Sequence, residues 1–504
     1  MSKFYTDLIE VDSHFSEAAE QFERLIDGLK GTETLSQEHG EVEKWLSSEG
    51  NELLRRLFQA HFDIRTEQET IQVGIECNDE VVRTRRRLGV RRKLSTLFGK
   101  IEHHRIGYSS PGTHTLYPLD MSLNLGMTKY TDGLRYRVAH EAARNSFDEC
   151  VETVASTTGG HTPKRQCEEM VAQTAEYFEA YYEATVGNER GQSNLLVVTT
   201  DSKGIVMRRE DLRPATRKAA ETEEAKKPKA RLGPGEKRNR KRMATTAAVY
   251  SVDPSVRTAE QVMNASDEDS KPTRVKIDNK RVWASVERGE KAVIVEAFDE
   301  AIRRDPEQQR DWVVVVDGEI NQLGYIHKTL KACGFEATIV LDFIHVLEYL
   351  WKAAYCFHGV GSEEAEQWVA ERALKILRGK STKVGAGMRR SATRQGLSQT
   401  RRKAVDRCAG YLQNNKAYLK YNDYLKAGYP IASGVIEGAC RHLINDRLGI
   451  TGARWGLKTA EAVLKLRSLR SSGDFEEYWK FHKEKEWERN HAAQYKNPEL
   501  LMAA

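Results

Sequence analysis

Apolar and polar positions alternate in different ways along this chain. Residues 1 to 75 carry apolar positions at helical spacing. Phe15, Ala18, Ala19, Phe22, Leu25 and Ile26 mark one face, and Leu53, Leu54, Leu57 and Phe58 another. Such faces suit either a partner or dimer surface or a solvated helical bundle. From residue 194 the pattern changes to short apolar, β-branched runs, at 195 to 201, 244 to 252, 281 to 286, 312 to 318 and 336 to 341. Strands that are apolar without alternation are usually covered on both faces, as in an α/β sheet. Helical spacing over residues 290 to 304 and 323 to 333 separates the later strands. Residues 348 to 425 read as almost wholly helical, with a basic break from Gly385 to Gly396. The strand pattern does not return after them.

Between these regimes lies a basic region. The runs Arg83-Thr-Arg85-Arg86-Arg87 and Arg91-Arg92-Lys93 lead into a predicted strand over 94 to 106. The turn Ser110-Pro-Gly then leads to 113 to 119, giving a small basic β-hairpin. Beyond Lys129 the pattern is helical. Ser146-Phe-Asp-Glu149 is a capping-box start, Gly159-Gly160 a stop, and Thr162-Pro163 an N-cap followed by proline at the first helical position. Helix, short glycine-containing turn and helix make a helix-turn-helix-like pattern. Its second helix opens with Lys164, Arg165 and Gln166, which can reach phosphates or base edges. A solvated basic face and an ordinary helical hairpin remain the alternatives.

The expected division is a helical region over 1–75 and a DNA-binding region over 76–193. A catalytic core follows over 194–347, then a helical insertion over 348–425, the last helix of the core over 426–470, and a charged tail over 471–504. Residues 208 to 242 read as a flexible basic loop containing Lys226, Lys227, Lys229, Arg231 and Lys237 to Arg242. The fold class is multidomain and α-rich, with a helical and helix-turn-helix N-terminal half before an α/β domain that a helical insertion interrupts. The 504 residues are 30% charged with a formal net charge of +5, so the location of the charge matters more than its total. The seven cysteines occur singly, with no CxxC spacing, which argues against structural zinc and fits a reduced cytosol. No run approaches the roughly eighteen apolar residues of a membrane span. A cytoplasmic protein without membrane contact is expected.

Three acids stand out. Asp201 ends Leu195-Leu-Val-Val-Thr-Thr, Asp317 ends Trp312-Val-Val-Val-Val, and Glu437 follows Pro430-Ile-Ala-Ser-Gly-Val-Ile at the start of a helix. Acids at strand ends sit where α/β proteins build their sites, and hard oxygen ligands suit divalent cations. Singly, each has a plainer reading: an Asx-turn at Asp201, a turn pair at Asp317-Gly, and a helical salt bridge from Glu437 to Arg441.

As a set, Thr199-Thr-Asp201, Val314-Val-Val-Asp317-Gly-Glu, Leu341-Asp342-Phe-Ile-His345-Val-Leu-Glu348, Ser433-Gly-Val-Ile-Glu437-Gly-Ala-Cys-Arg441 and Ala453-Arg-Trp455-Gly resemble bacterial insertion-sequence transposases of the DDE class. The likeness is to the ISKra-type group, and more widely to Mutator-like transposases. It covers most of residues 90 to 470, with Thr96-Leu-Phe-Gly99 and Tyr117-Pro-Leu-Asp120 matching upstream. The resemblance implies an RNase H-like catalytic domain with a helical insertion between the second and third acids. It implies Asp201, Asp317 and Glu437 as the catalytic, metal-holding triad for Mg²⁺ or Mn²⁺, as two ions. Asp342 and His345 match an Asp-x-x-His signature after the second acid, with Asp342 the rival second ligand. Arg441 and Trp455 are further accessory candidates.

The implied reaction is cleavage at terminal inverted repeats and transfer of the strand to target DNA. Double-stranded DNA, a homo-oligomer on DNA and a nucleoid-associated place in a bacterial-type cell follow from it. The DNA contacts expected are Arg85, Arg86, Arg87, Arg91, Arg92, Lys93, Lys164, Arg165 and Gln166, with Lys383, Arg389 and Arg390 of the insertion. The alternatives are a catalytically inactive, transposase-derived DNA-binding protein, or an RNase H-like nuclease such as a junction resolvase.

Overall fold

A computed structural model of the protein describes residues 13 to 185, 193 to 224, 239 to 263 and 275 to 499. The chain is mixed α/β and rich in helix, with a five-stranded mixed sheet and a two-stranded hairpin. It divides into two compact units. One is formed by the described residues of Met1–Tyr181 and Phe475–Ala504, the other by those of Tyr182–Asp474.

In the first unit the helices Ser16–Lys30 and His39–Glu67 run antiparallel. The Gln21 amide donates to Glu49 at 2.8 Å, and Arg56 donates to the Glu17 carbonyl at 2.9 Å. Ala18 and Leu25 of the expected apolar face are buried, while Phe22 is 53% exposed. Strands β1 (Arg85–Thr96) and β2 (Gly99–Ser109) form a basic hairpin, but not the expected one: 113 to 119 is no strand, making one bridge from Leu116 to Tyr108 before the helix Pro118–Ser122. The strand expected over 94 to 106 is therefore two strands, with the chain reversing at Leu97-Phe98. The Thr96 hydroxyl donates to the Gly99 carbonyl at 2.9 Å, and Gly99 takes a φ of +131°, which a side chain would resist. The turn is built from strand-forming residues, so apolarity hides it.

The capping box is present: Ser146 Oγ accepts from the Glu149 N–H at 3.1 Å, and Glu149 accepts from the Ser146 N–H at 2.9 Å. It starts the helix Phe147–Thr157. The following helix is Lys164–Thr174, and its N-cap is Pro163 rather than Thr162. The segment expected as a charged tail contains the helix Phe475–Trp487, with Phe475, Tyr478, Trp479, His482 and Glu486 buried. Glu486 accepts from the buried Arg135 at 2.7 Å, beside His482. A buried, paired arginine makes this helix part of the unit's interior.

The second unit holds β3 (Leu195–Val206), β4 (Lys241–Val252), β5 (Ile277–Ser285), β6 (Asp311–Val316) and β7 (Thr338–Leu341). Their order is β5-β4-β3-β6-β7. β3, β4 and β5 form an antiparallel meander, whereas β6 is parallel to β3 and β7 to β6. Helices Glu290–Arg304 and Ile320–Cys333 precede β6 and β7 and supply the long connections that parallel strands need. Leu195 to Thr200 are buried without a gap, so both faces of β3 are covered. β7 is the sheet's edge among the described strands. There the Tyr421 hydroxyl donates to the Leu341 carbonyl at 2.8 Å, and Tyr424 donates to the Ile339 carbonyl at 3.2 Å. These side chains of the helix Tyr421–Ala427 satisfy strand groups that an open edge would leave bare.

Residues 208 to 242 are not all loop. They contain the helix Pro214–Glu224 and the start of β4. Lys226, Lys227, Lys229, Arg231, Lys237 and Arg238 lie outside the described residues. The insertion is helical as expected, but its basic break is not where the glycines suggested. Gly385 and Gly387 lie inside the helix Ser381–Arg394. A Cβ on Gly385 would meet the Ala409 carbonyl of the helix Gln399–Asn414 at 3.4 Å, so this glycine serves close helix packing. Among the described residues no helix is long and apolar enough to cross a membrane.

Candidate catalytic acid site

Strand register brings the first two acids level. Leu195 pairs with Asp311 and Thr199 with Val315; two residues further along stand Asp201 and Asp317. β6 stops at Val316, whereas β3 continues to Val206 because β4 still pairs with it. Asp201 therefore lies inside a strand, opposite Thr246 of β4, and not at its end. The Asx-turn reading does not describe it.

Asp317 leads out of β6 through Gly318, whose φ is +85°. A Cβ there would stand 2.9 Å from the Leu341 side chain. The Glu319 N–H donates to Asp317 Oδ1 at 3.0 Å, and Glu319 caps the next helix by accepting from the Gln322 N–H at 2.9 Å. The Gln322 amide donates to the Thr200 carbonyl at 3.0 Å, which ties this turn to the residue before Asp201. From the insertion, the Tyr411 hydroxyl donates to the Asp317 carbonyl at 2.8 Å, with Tyr349 stacked on its ring at 4.2 Å. Burial raises the Asp317 carboxyl above its usual range. The Glu319 N–H and His345 oppose that shift, and the Asp201 charge adds to it. His345 stands on the helix Phe343–Ala354.

Glu437 sits exposed on the short helix Gly434–Ala439, which packs on β3 and β4. The helix then widens into a π-helical turn, Cys440–Asn445, a feature often found at functional sites. Its first residue points at the first acid: the Cys440 thiol donates to Asp201 Oδ2 at 3.4 Å. Burial pushes that thiol up to about 12, and the Asp201 charge adds to the effect. Arg441 is the second residue of that turn. Its ion pair is with Asp446, at 3.9 Å. Asp201 is held by two further groups: Oδ1 accepts from the Ser202 N–H at 2.6 Å, and the Lys203 ammonium lies 3.2 Å from Oδ2.

Asp342 is 3% exposed and fully engaged. Oδ1 accepts from the Ile344 N–H at 2.7 Å, capping the helix that carries His345. Oδ2 accepts from the Ser433 N–H at 3.2 Å and from the Ser433 hydroxyl. Trp455 lies elsewhere. It pairs with Met207, six residues beyond Asp201 and so roughly 20 Å along the strand direction, under the Arg447 guanidinium at 4.7 Å.

Most of the expected DNA contacts lie on the surface of their own unit. Arg85, Arg86, Arg87, Arg91 and Lys93 are exposed on the hairpin, with Arg91 paired to Glu102. Arg92 is committed inward, donating to Asp120 at 2.7 Å and to the Thr128 carbonyl at 2.7 Å. Lys164 pairs with Asp148 at 2.7 Å, Arg165 with Glu169 at 3.2 Å, and Gln166 donates to Glu169 at 2.7 Å. Lys383, Arg389 and Arg390 are exposed on the helix Ser381–Arg394, with Arg389 paired to Asp406 at 3.6 Å.

Sequence pattern alone does not single out Lys203, Cys440, Ser433 and Tyr411. Only Lys203 carries a local signal, since strand alternation puts it on the Asp201 face. Among the described residues no three His, Cys, Asp or Glu side chains are grouped closely enough to hold a metal ion. The donors suit one in kind: three solvent-reachable carboxylates, one already holding an ammonium ion. Comparison with protein-family models and with curated proteins finds no match for this chain.

Proposed function

We propose that the chain is a DDE-type insertion-sequence transposase that cleaves DNA at terminal inverted repeats and joins the end to target DNA. The observation that carries this reading is the placing of Asp201 and Asp317 level on adjacent parallel strands, with the Glu437 helix packed on β3 and β4. The sheet supports it too. An antiparallel meander whose first strand also starts a parallel pairing, in the order β5-β4-β3-β6-β7, suits an RNase H-like domain. So does a helical insertion between the second and third acids.

Asp201, Asp317 and Glu437 would hold two Mg²⁺ or Mn²⁺ ions, which activate the attacking water or 3′-hydroxyl and neutralise the leaving oxygen. The chain's own part is positioning. Ser202 and Cys440 orient Asp201, while Glu319 and Tyr411 fix the turn that presents Asp317. Unneutralised carboxylates repel, so an acid set more open than a closed coordination shell is what the metal-free chain should adopt. Arg85, Arg86, Arg87, Lys93 and the insertion's Lys383 and Arg390 would lie along the phosphate backbone, which positions DNA without reading it. Double-stranded DNA in a bacterial-type cytoplasm, bound by a homo-oligomer, completes the reading.

The test is incubation with DNA carrying the ends of the chain's own element, in Mg²⁺ and in Ca²⁺ as control. Mg²⁺-dependent nicks at the ends are expected. Tight binding without nicks would move the reading to an inactive DNA-binding relative, and structure-selective cutting to a junction nuclease.

A further inference from the structure

Lys203 follows Asp201 by two residues on β3, so both side chains rise from one face of the sheet. Its ammonium lies 3.2 Å from Asp201 Oδ2, the oxygen that also accepts from the Cys440 thiol. Burial works against charge on this lysine. The Asp201 carboxylate outweighs it, with smaller contributions from Cys440 and then Glu437, and the ammonium is held above its usual range. Lys203 is thus a cation seated on the first of the three acids, in the position that a metal bound to Asp201 would contest.

We propose that Lys203 is an internal counter-cation, a positioning residue that neutralises and holds Asp201 before a divalent ion binds and then gives way to that ion. The proposal rests on the reading of these acids as a metal-holding triad. An ammonium and a divalent cation compete for the same oxygens, and two cations a few ångströms apart repel. The lysine therefore stabilises the metal-free chain and weakens metal binding at the same time. A lysine that merely packed against the strand would do only the first. Its side chain is 44% exposed, so it can swing away without disturbing the sheet.

The full-length protein is compared with Lys203→Met and Lys203→Arg. Thermal unfolding is followed in EDTA and in Ca²⁺, and Ca²⁺ binding is measured by calorimetry. Lys203→Met should unfold at a lower temperature than wild type in EDTA and regain the wild-type midpoint in Ca²⁺. It should also bind Ca²⁺ at least about fivefold more tightly. Lys203→Arg should follow wild type in both. Lys203→Gln replaces Lys203→Met if the latter does not fold. Equal destabilisation with and without Ca²⁺, at unchanged affinity, would overturn the proposal while leaving the triad intact. Wild-type protein that takes up no Ca²⁺, or takes it up just as well as Asp201→Asn, would instead remove the metal-holding triad, and the proposal with it.

Discussion

Asp342 Oδ2 accepts from the Ser433 backbone N–H at 3.2 Å, and from its hydroxyl as well, so the end of β7 is fastened to the segment that opens the Glu437 helix. Between these residues runs the whole insertion. The carboxylate closes it like a clasp and also caps the helix bearing His345. This gives Asp342 a structural task distinct from those of the three acids.

Asp342→Ala should cost about 2–4 kcal/mol. It removes an N-cap and leaves the Ser433 groups unpaired in a buried place. Ser433→Ala should cost less. Denaturant unfolding of both variants measures this, and an Asp342→Ala protein as stable as wild type would contradict it.

The C-terminal helix is expected to be indispensable to the first unit. Glu486→Ala takes one of two carboxylates from the buried Arg135, which is 2% exposed and keeps Asp132 at 3.2 Å, and should destabilise by about 1.5–3 kcal/mol. Urea unfolding followed by a probe in that unit checks it.

Features that local pattern controls are legible in the sequence, and features that distant partners decide are not. The buried runs behind Asp201 and Asp317, the helix Glu290–Arg304 and the Ser146 capping box are legible because burial and capping leave local marks. β3 reads as ending at Asp201 because its extension to Val206 depends on pairing with β4, some forty residues on. Gly385 looks like a helix breaker because its packing partner, Ala409, lies in the next helix. Arg92 looks like a DNA contact because Asp120, which binds it, belongs to a later segment. The tail looks merely charged because Arg135, which pairs with Glu486, is hundreds of residues away.

Acid should loosen the first unit through His103. Burial, with Arg105 and Arg92 nearby, lowers this histidine from 6.5 to about 4, and Nε2 lies 3.3 Å from Asp120 Oδ1 without hydrogen-bond geometry. A histidine with a depressed folded value binds fewer protons folded than unfolded. Its contribution is therefore intact above pH 6.5 and is lost as pH falls toward 4. After allowance for screening the loss is about 1–2 kcal/mol. His103→Gln should flatten the fall of the unfolding midpoint across this window, and an unchanged slope would contradict that assignment.

The insertion's basic helix should contribute affinity without sequence preference. Replacing Lys383, Arg389 and Arg390 by Gln should weaken binding to end DNA and to unrelated DNA alike. The slope of log affinity against log salt should fall by up to about one unit for each phosphate no longer neutralised. Arg389 should contribute least, because Asp406 already pairs with it. Anisotropy titrations across salt concentrations decide this, and identical slopes for variant and wild type would exclude the helix from DNA contact.

The most direct measurement is single-turnover Mg²⁺-dependent nicking of end DNA by Asp201→Ala, Asp317→Ala and Glu437→Ala, with binding to the same DNA measured in Ca²⁺. Each variant should bind within a few-fold of wild type and cut at least about a thousandfold more slowly, since each removes a metal ligand. A variant at any of the three positions that still nicks at close to the wild-type rate would contradict the assignment of these acids as the catalytic triad.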